Sequence, residues 1–156
     1  MKSLKFILAS IILSFIIISE MTAQTWTTLP TGSQEFFYGV SFSDVNNGTA
    51  TGTQVLRTTD GGATWNPQTL PIFVNNLPCV KFTDANTGTA AGEMGTIFRT
   101  VDGGATWTQQ TSGVTVELYG MSFTSTNLGT IVGDGGTILR TIDGGTTWTQ
   151  QTSGAQ

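Results

Sequence analysis

Thr141-Ile142-Asp143-Gly144-Gly145-Thr146-Thr147-Trp148 repeats a phrase that occurs twice before it, as Thr58-Thr59-Asp60-Gly61-Gly62-Ala63-Thr64-Trp65 and Thr100-Val101-Asp102-Gly103-Gly104-Ala105-Thr106-Trp107. The aspartates stand 42 and then 41 residues apart. A fixed period of roughly 20–50 residues marks a repeat architecture. Each letter has a physical reading. Asp before Gly-Gly signals a tight turn: its carboxylate accepts from backbone N–H groups just ahead, and the glycines permit positive φ. The flanking Thr and β-branched residues favour strands, so the unit reads as a β-hairpin. The closing Trp brings a large apolar body, worth on the order of 4–6 kcal/mol when buried at about 25 cal/mol per Å².

The phrase T-x-D-x-G-x-T-W resembles the Asp-box, or bacterial neuraminidase repeat, carried on blades of several β-propeller families. Asp60, Gly62 and Trp65, Asp102, Gly104 and Trp107, and Asp143, Gly145 and Trp148 occupy its structural positions. Upstream lies F-[ST]-x-x-N-x-G, as in Phe82-Thr83-Asp84-Ala85-Asn86-Thr87-Gly88. With that half included, the repeat is most similar to the photosystem II stability/assembly factor group. The resemblance implies protein partners, no catalysis, and Asp-boxes lying away from the active face. That group's arginine-rich docking patch has no counterpart in this sequence.

Each period divides into four short segments separated by turn signals, the pattern of a propeller blade. In the last unit they fall near 118–123, 129–133, 137–141 and 146–151; in the middle unit, near 79–83, 88–92, 96–100 and 106–110. Val55-Leu56, Ile97-Phe98 and Ile138-Leu139 place two large apolar residues in succession, as a strand buried on both faces requires. The expected fold is therefore all-β: four-stranded antiparallel blades at about 36–70, 77–111 and 117–152 in a repeat domain 24–156. Thr25-Trp26-Thr27-Thr28 matches a closing strand, leaving an orphan strand at 25–28. Propellers close with about 4–8 blades. Three blades and an orphan strand imply either a fragment of a longer propeller or closure by assembly, with a homo-oligomer completing the ring.

Residues 1–23 stand apart. Lys2 and Lys5 precede an apolar run over residues 6–18, and Ala23 offers a cut site, the shape of a secretory signal peptide. The run is shorter than the roughly 20 residues a membrane span needs. The membrane therefore enters only through the export signal, and the expected location is periplasmic, extracellular or cell-surface. The formal charge is −4, and removing the leader (two lysines and one glutamate) makes the remainder one unit more acidic. Its cations are Arg57, Lys81, Arg99 and Arg140, too dispersed for a nucleic-acid or anionic-membrane patch. His is absent, which removes the commonest general base and metal ligand. Cys79 is the single cysteine, so no intrachain disulfide exists; it aligns with Gly39 and Gly120 and reads as a small residue in a crowded strand.

Three identical aspartates at blade spacing argue for turns, because catalysis needs different residues converging on one point. Arg57, Arg99 and Arg140 repeat likewise, and are expected to meet local carboxylates or carbonyls. Asp44-Val45-Asn46-Asn47-Gly48 and its equivalents look like half a calcium loop without the closing Glu, and Asx-turns account for them. No metal or cofactor is expected. Residues that break the repeat are better functional candidates. The fourth-to-first and second-to-third strand connections share one rim, carrying Glu35, Phe36, Phe37 and Tyr38, Phe73, Asn75 and Asn76, Glu93, Glu117 and Tyr119, and Asp134. Aromatics beside carboxylates suit a polypeptide or a glycan, or ordinary packing between blades. The leading functional expectation is a secreted, non-catalytic protein-binding or assembly scaffold. The alternative is a glycoside hydrolase of sialidase or xyloglucanase type, needing two carboxylates about 5–9.5 Å apart across a cleft.

Overall fold

The computed structural model describes residues 35–154. The leader at 1–23, its cut after Ala23 and the orphan strand at 25–28 lie outside the described residues. Among the described residues, twelve strands form three antiparallel sheets, each four strands in chain order. The first holds β1 (Phe37–Phe42), β2 (Gly48–Gly52), β3 (Val55–Thr58) and β4 (Asn66–Gln68). The middle sheet holds β5 (Cys79–Phe82), β6 (Gly88–Ala91), β7 (Ile97–Thr100) and β8 (Thr108–Gln110). The third holds β9 (Leu118–Phe123), β10 (Gly129–Gly133), β11 (Ile138–Thr141) and β12 (Thr149–Gln151).

The first strands stand side by side, β1 against β5 and β5 against β9, so the sheets stack face to face. Two apolar cores fill the gaps. Val55 of the first sheet meets Val80, Phe82, Phe98 and Trp107 of the middle one; Ile97 of the middle sheet meets Ile131, Leu139 and Trp148 of the third. The adjacent pair Ile97-Phe98 thus supplies one residue to each core, and both are fully buried. That is the packing an unbroken apolar pair in a short strand requires.

The starts of the third and fourth strands differ from the sequence reading, and in the middle sheet the first two strands end one residue earlier, at Phe82 and Ala91. The fourth strands begin at Thr108 and Thr149 rather than at 106 and 146, so Trp107 and Trp148 precede them. The cause is local: the Thr106 N–H donates to the Asp102 carboxylate at 2.8 Å, and that of Thr147 to Asp143 at 2.9 Å. Both donors belong to the turn and not to a ladder. The third strands begin at Ile97 and Ile138, one residue later than expected. Short 3-10 turns at Glu93–Gly95 and Asp134–Gly136 occupy the approach.

The upstream half of each repeat has a packing reason. The rings of Phe42, Phe82 and Phe123 lie across Gly48, Gly88 and Gly129. A Cβ on those glycines would sit 2.5–2.7 Å from the ring. Each Phe then meets the repeat's Trp edge-to-face with ring centres 6.1 Å apart, a favoured aromatic geometry. Cys79 is buried, its thiol 3.2 Å from the Ala91 carbonyl, and burial pushes it up to about 11.

Candidate functional site

The third-to-fourth strand turns are built alike in all three sheets. The Thr58 hydroxyl donates to Asp60 at 2.7 Å and accepts from the Gly62 N–H at 2.9 Å. Asp60 in turn accepts from the Thr64 N–H at 2.9 Å and the Thr64 hydroxyl at 2.6 Å. Thr100, Asp102, Gly104 and Thr106 repeat the pattern, as do Thr141, Asp143, Gly145 and Thr147. Gly62, Gly104 and Gly145 have φ of 91°, 88° and 84°, where a Cβ is strained. The threonine hydroxyls and N–H groups hold all three carboxyls at about 2.

On the same edge run the first-to-second strand loops. Asp44 accepts from the N–H groups of Asn46 and Asn47, Asp84 from those of Asn86 and Thr87, and the Ser125 hydroxyl from those of Asn127 and Leu128. The two halves of the repeat are joined directly. Gly61, Gly103 and Gly144 donate their N–H groups to the carbonyls of Asn46, Asn86 and Asn127 at 2.8–3.0 Å. The carboxylates on this edge are thus occupied by their own backbone and hydroxyl donors.

The opposite edge carries the repeat-breaking residues, and the fold pairs them. Glu35 accepts from the Thr53 hydroxyl at 2.7 Å. Glu93 accepts from the Asn75 N–H. Asp134 accepts from the Tyr119 hydroxyl at 3.1 Å, which pushes the Tyr119 phenol above its ordinary value. Glu35 and Asn75, just before the first strands of their sheets, and Tyr119, near the start of β9, are each joined to the second-to-third connection of the same sheet, so these connections share one rim. Phe36, Tyr38, Phe73, Met94 and Tyr119 stand exposed along it. Phe37 is half-buried. Asn76 and Glu117 occupy equivalent repeat positions, their backbone carbonyls accepting from Glu93 and Asp134. Asn76 Oδ1 and Glu117 Oε2 are buried atoms without a hydrogen-bond partner.

No family model and no curated protein matches the chain. Solved structures do. "YCF48 bound to D1 peptide" is similar over 81% of this chain and 44% of its own, with 27% identity and a TM-score of 0.68. YCF48 from Cyanidioschyzon merolae is similar over 81% and 40%, with 25% identity and a TM-score of 0.68. The fold is that of β-propeller blades. The GH74 xyloglucanase from Xanthomonas campestris shares it over 76% of this chain and 24% of its own, at 14% identity and a TM-score of 0.58. The chain spans about two-fifths of the length of the YCF48 chains.

Three propeller blades in one chain leave two kinds of surface, edges and faces. Sequence reasoning placed the arginines near local carboxylates or carbonyls. The blades put Arg99 on a carbonyl of the next blade: its Nε donates to Gly144 O at 2.8 Å, 45 residues away. The Arg57 guanidinium lies against Gly103 of the next blade, but its buried Nε has no hydrogen-bond partner. These cations are spread along the stack, one per blade. Thr53, the partner of Glu35, had no distinguishing signal in the sequence.

Proposed function

We propose that this chain is an exported, non-catalytic propeller scaffold that binds a polypeptide partner across the rim of exposed aromatics. The observation that carries the reading is the likeness to YCF48 bound to D1 peptide over 81% of the chain. The rim chemistry supports it. Tyr38, Phe73 and Tyr119 offer exposed aromatic surface, and the two tyrosines add phenolic hydroxyls. Two carboxylates of the rim, Glu93 and Asp134, are engaged by Asn75 and Tyr119 rather than by one another. Export rests on Lys2, Lys5 and the apolar run at residues 6–18. The three hairpins fit the Asp-box in the same structural role.

The test is selection from a displayed peptide library, followed by affinity measurements on the selected peptides. Tyr119→Ala and Phe73→Ala are expected to weaken binding by about tenfold, near 1.4 kcal/mol. Val45→Ala, on the opposite edge, leaves it unchanged. Peptides that bind all variants equally, or hydrolysis of xyloglucan by the chain, would overturn the reading.

A further inference from the structure

Between residues 53 and 76 the chain departs from its own repeat in two ways, and the fold gathers both departures in one place. The connection from β2 to β3 runs Gly52-Thr53-Gln54-Val55, two residues shorter than its equivalent Gly92-Glu93-Met94-Gly95-Thr96-Ile97. The run from β4 to the second blade, 69–76, is one residue longer than its equivalent 111–117. Leu77 and Leu118 fix that match, since their N–H groups donate to the Gly52 and Gly92 carbonyls. Leu70 stands where the second blade has Ser112, and Ile72-Phe73-Val74 where it has Val114-Thr115.

In the second blade the longer connection reaches the run that follows it. The Gly95 N–H donates to the Val116 carbonyl at 2.7 Å, and a Cβ on Gly95 would collide with the Val114 carbonyl. The Ser112 hydroxyl ties the run further, accepting from the Val114 N–H at 3.3 Å. The first blade lacks the two residues that make this reach, and Leu70 brings no hydroxyl. A hollow of about 400 Å³ lies there between Thr53-Gln54, the end of β4 and residues 70–74, within the range of about 300–1,000 Å³ typical of ligand clefts. Leu70, Ile72, Phe73 and Val74 line it together with Val55, and none of its lining residues is charged. Val55 and Val74 belong to the core that joins the first blade to the second. Ile72 is 42% exposed and Phe73 86%. The equivalent hollow of the second blade is about 540 Å³, but Thr, Gln and Ser side chains make up most of its lining.

We propose that the hollow of the first blade seats one leucine-, isoleucine- or phenylalanine-sized side chain of a bound peptide. The proposal rests on the reading of the rim as a peptide-binding surface and names the side chain it selects. Two observations make the occupant a peptide. The second blade meets the same run with chain of its own, through the Gly95 N–H, so the first blade lacks a stretch of polypeptide there. Phe73 belongs both to the hollow and to the rim of exposed aromatics, so a chain lying along the rim passes its mouth. An apolar side chain gains burial in such a lining, whereas a charged one loses its water without a partner.

A random displayed peptide library is selected on the full chain, and the affinities of the selected peptides are measured on variants. The peptides are expected to share one apolar position, whose replacement by alanine weakens binding to the wild type about tenfold. Ile72→Asp and the milder Leu70→Ser are expected to weaken the parent peptides and to leave the alanine peptides unchanged, because the two losses remove one contact and do not add. Melting temperatures check that both variants fold. Thr115→Asp puts the same charge beside the polar hollow of the second blade and is expected to leave affinity at the wild-type value. Peptides that share no apolar position, or that bind Ile72→Asp and Leu70→Ser as they bind the wild type, overturn the proposal; their loss of affinity for Tyr119→Ala would leave the rim reading intact. Equal losses from Ile72→Asp and Thr115→Asp overturn it as well, by assigning the effect to charge. A library that yields no binder overturns both readings.

Discussion

Asp102 shows how much a single exposed carboxylate does in this fold. It accepts from the Thr106 hydroxyl and N–H and from the Thr100 hydroxyl, which lower it from 3.8 to about 2. A folded pKa below the unfolded one stabilises the protein above the unfolded value, and the gain is lost as pH falls through the folded value. Asp102→Asn is therefore expected to lower the melting temperature at pH 6, with the gap to wild type closing between about pH 4 and 2. A gap that stays constant over that range would sink the account. Gly88 makes a different point. Its Cβ would meet the Phe82 ring at 2.7 Å, so Gly88→Ala overpacks a buried contact and is expected to cost about 1–3 kcal/mol in denaturant melts. An unchanged midpoint would show that the ring moves aside freely.

At the scale of the element, the third hairpin turn of each blade fastens two loops and one core. The turn's first glycine holds the preceding loop through the Asn carbonyl, and the closing Trp107 and Trp148 enter the gaps between blades. Trp107 is 5% exposed and packs edge-to-face on Phe82. Trp107→Ala is expected to destabilise by roughly 3–5 kcal/mol, read from urea unfolding. Peptide affinity at the rim should be unaffected in the folded fraction, because the turn lies on the other edge. A wild-type midpoint for this variant would contradict the packing described.

In the whole molecule, position in the stack decides what a residue contributes. Val40 and Val80 occupy one repeat position, yet the first is exposed and the second buried between blades. Val80→Ala is expected to cost about 1–2 kcal/mol and Val40→Ala within about 0.5 kcal/mol of nothing. Equal costs would mean that the two faces are covered alike. Stacked repeats are stabilised by nearest-neighbour contacts, so end units lack half of theirs.

The repeat phrase alone determined the blades, because its information is local. Thr, Asp, Gly-Gly and Trp close a turn within eight residues, and an Ile97-Phe98 pair needs two buried faces wherever it lies. Strand starts at Thr108 and Thr149 slipped from expectation because hydrogen bonds to Asp102 and Asp143 compete with the ladder. The rim was legible as a set of repeat-breaking residues, but its pairings were not. Glu35 with Thr53, Asn75 with Glu93 and Tyr119 with Asp134 are different residue types brought together by register, over 15–18 residues of chain. Only the tertiary structure sent Arg99 to the neighbouring blade and left Arg140 facing outward. Those contacts depend on how one sheet is set against the next, and a period in the sequence records that sheets recur without recording what each one meets.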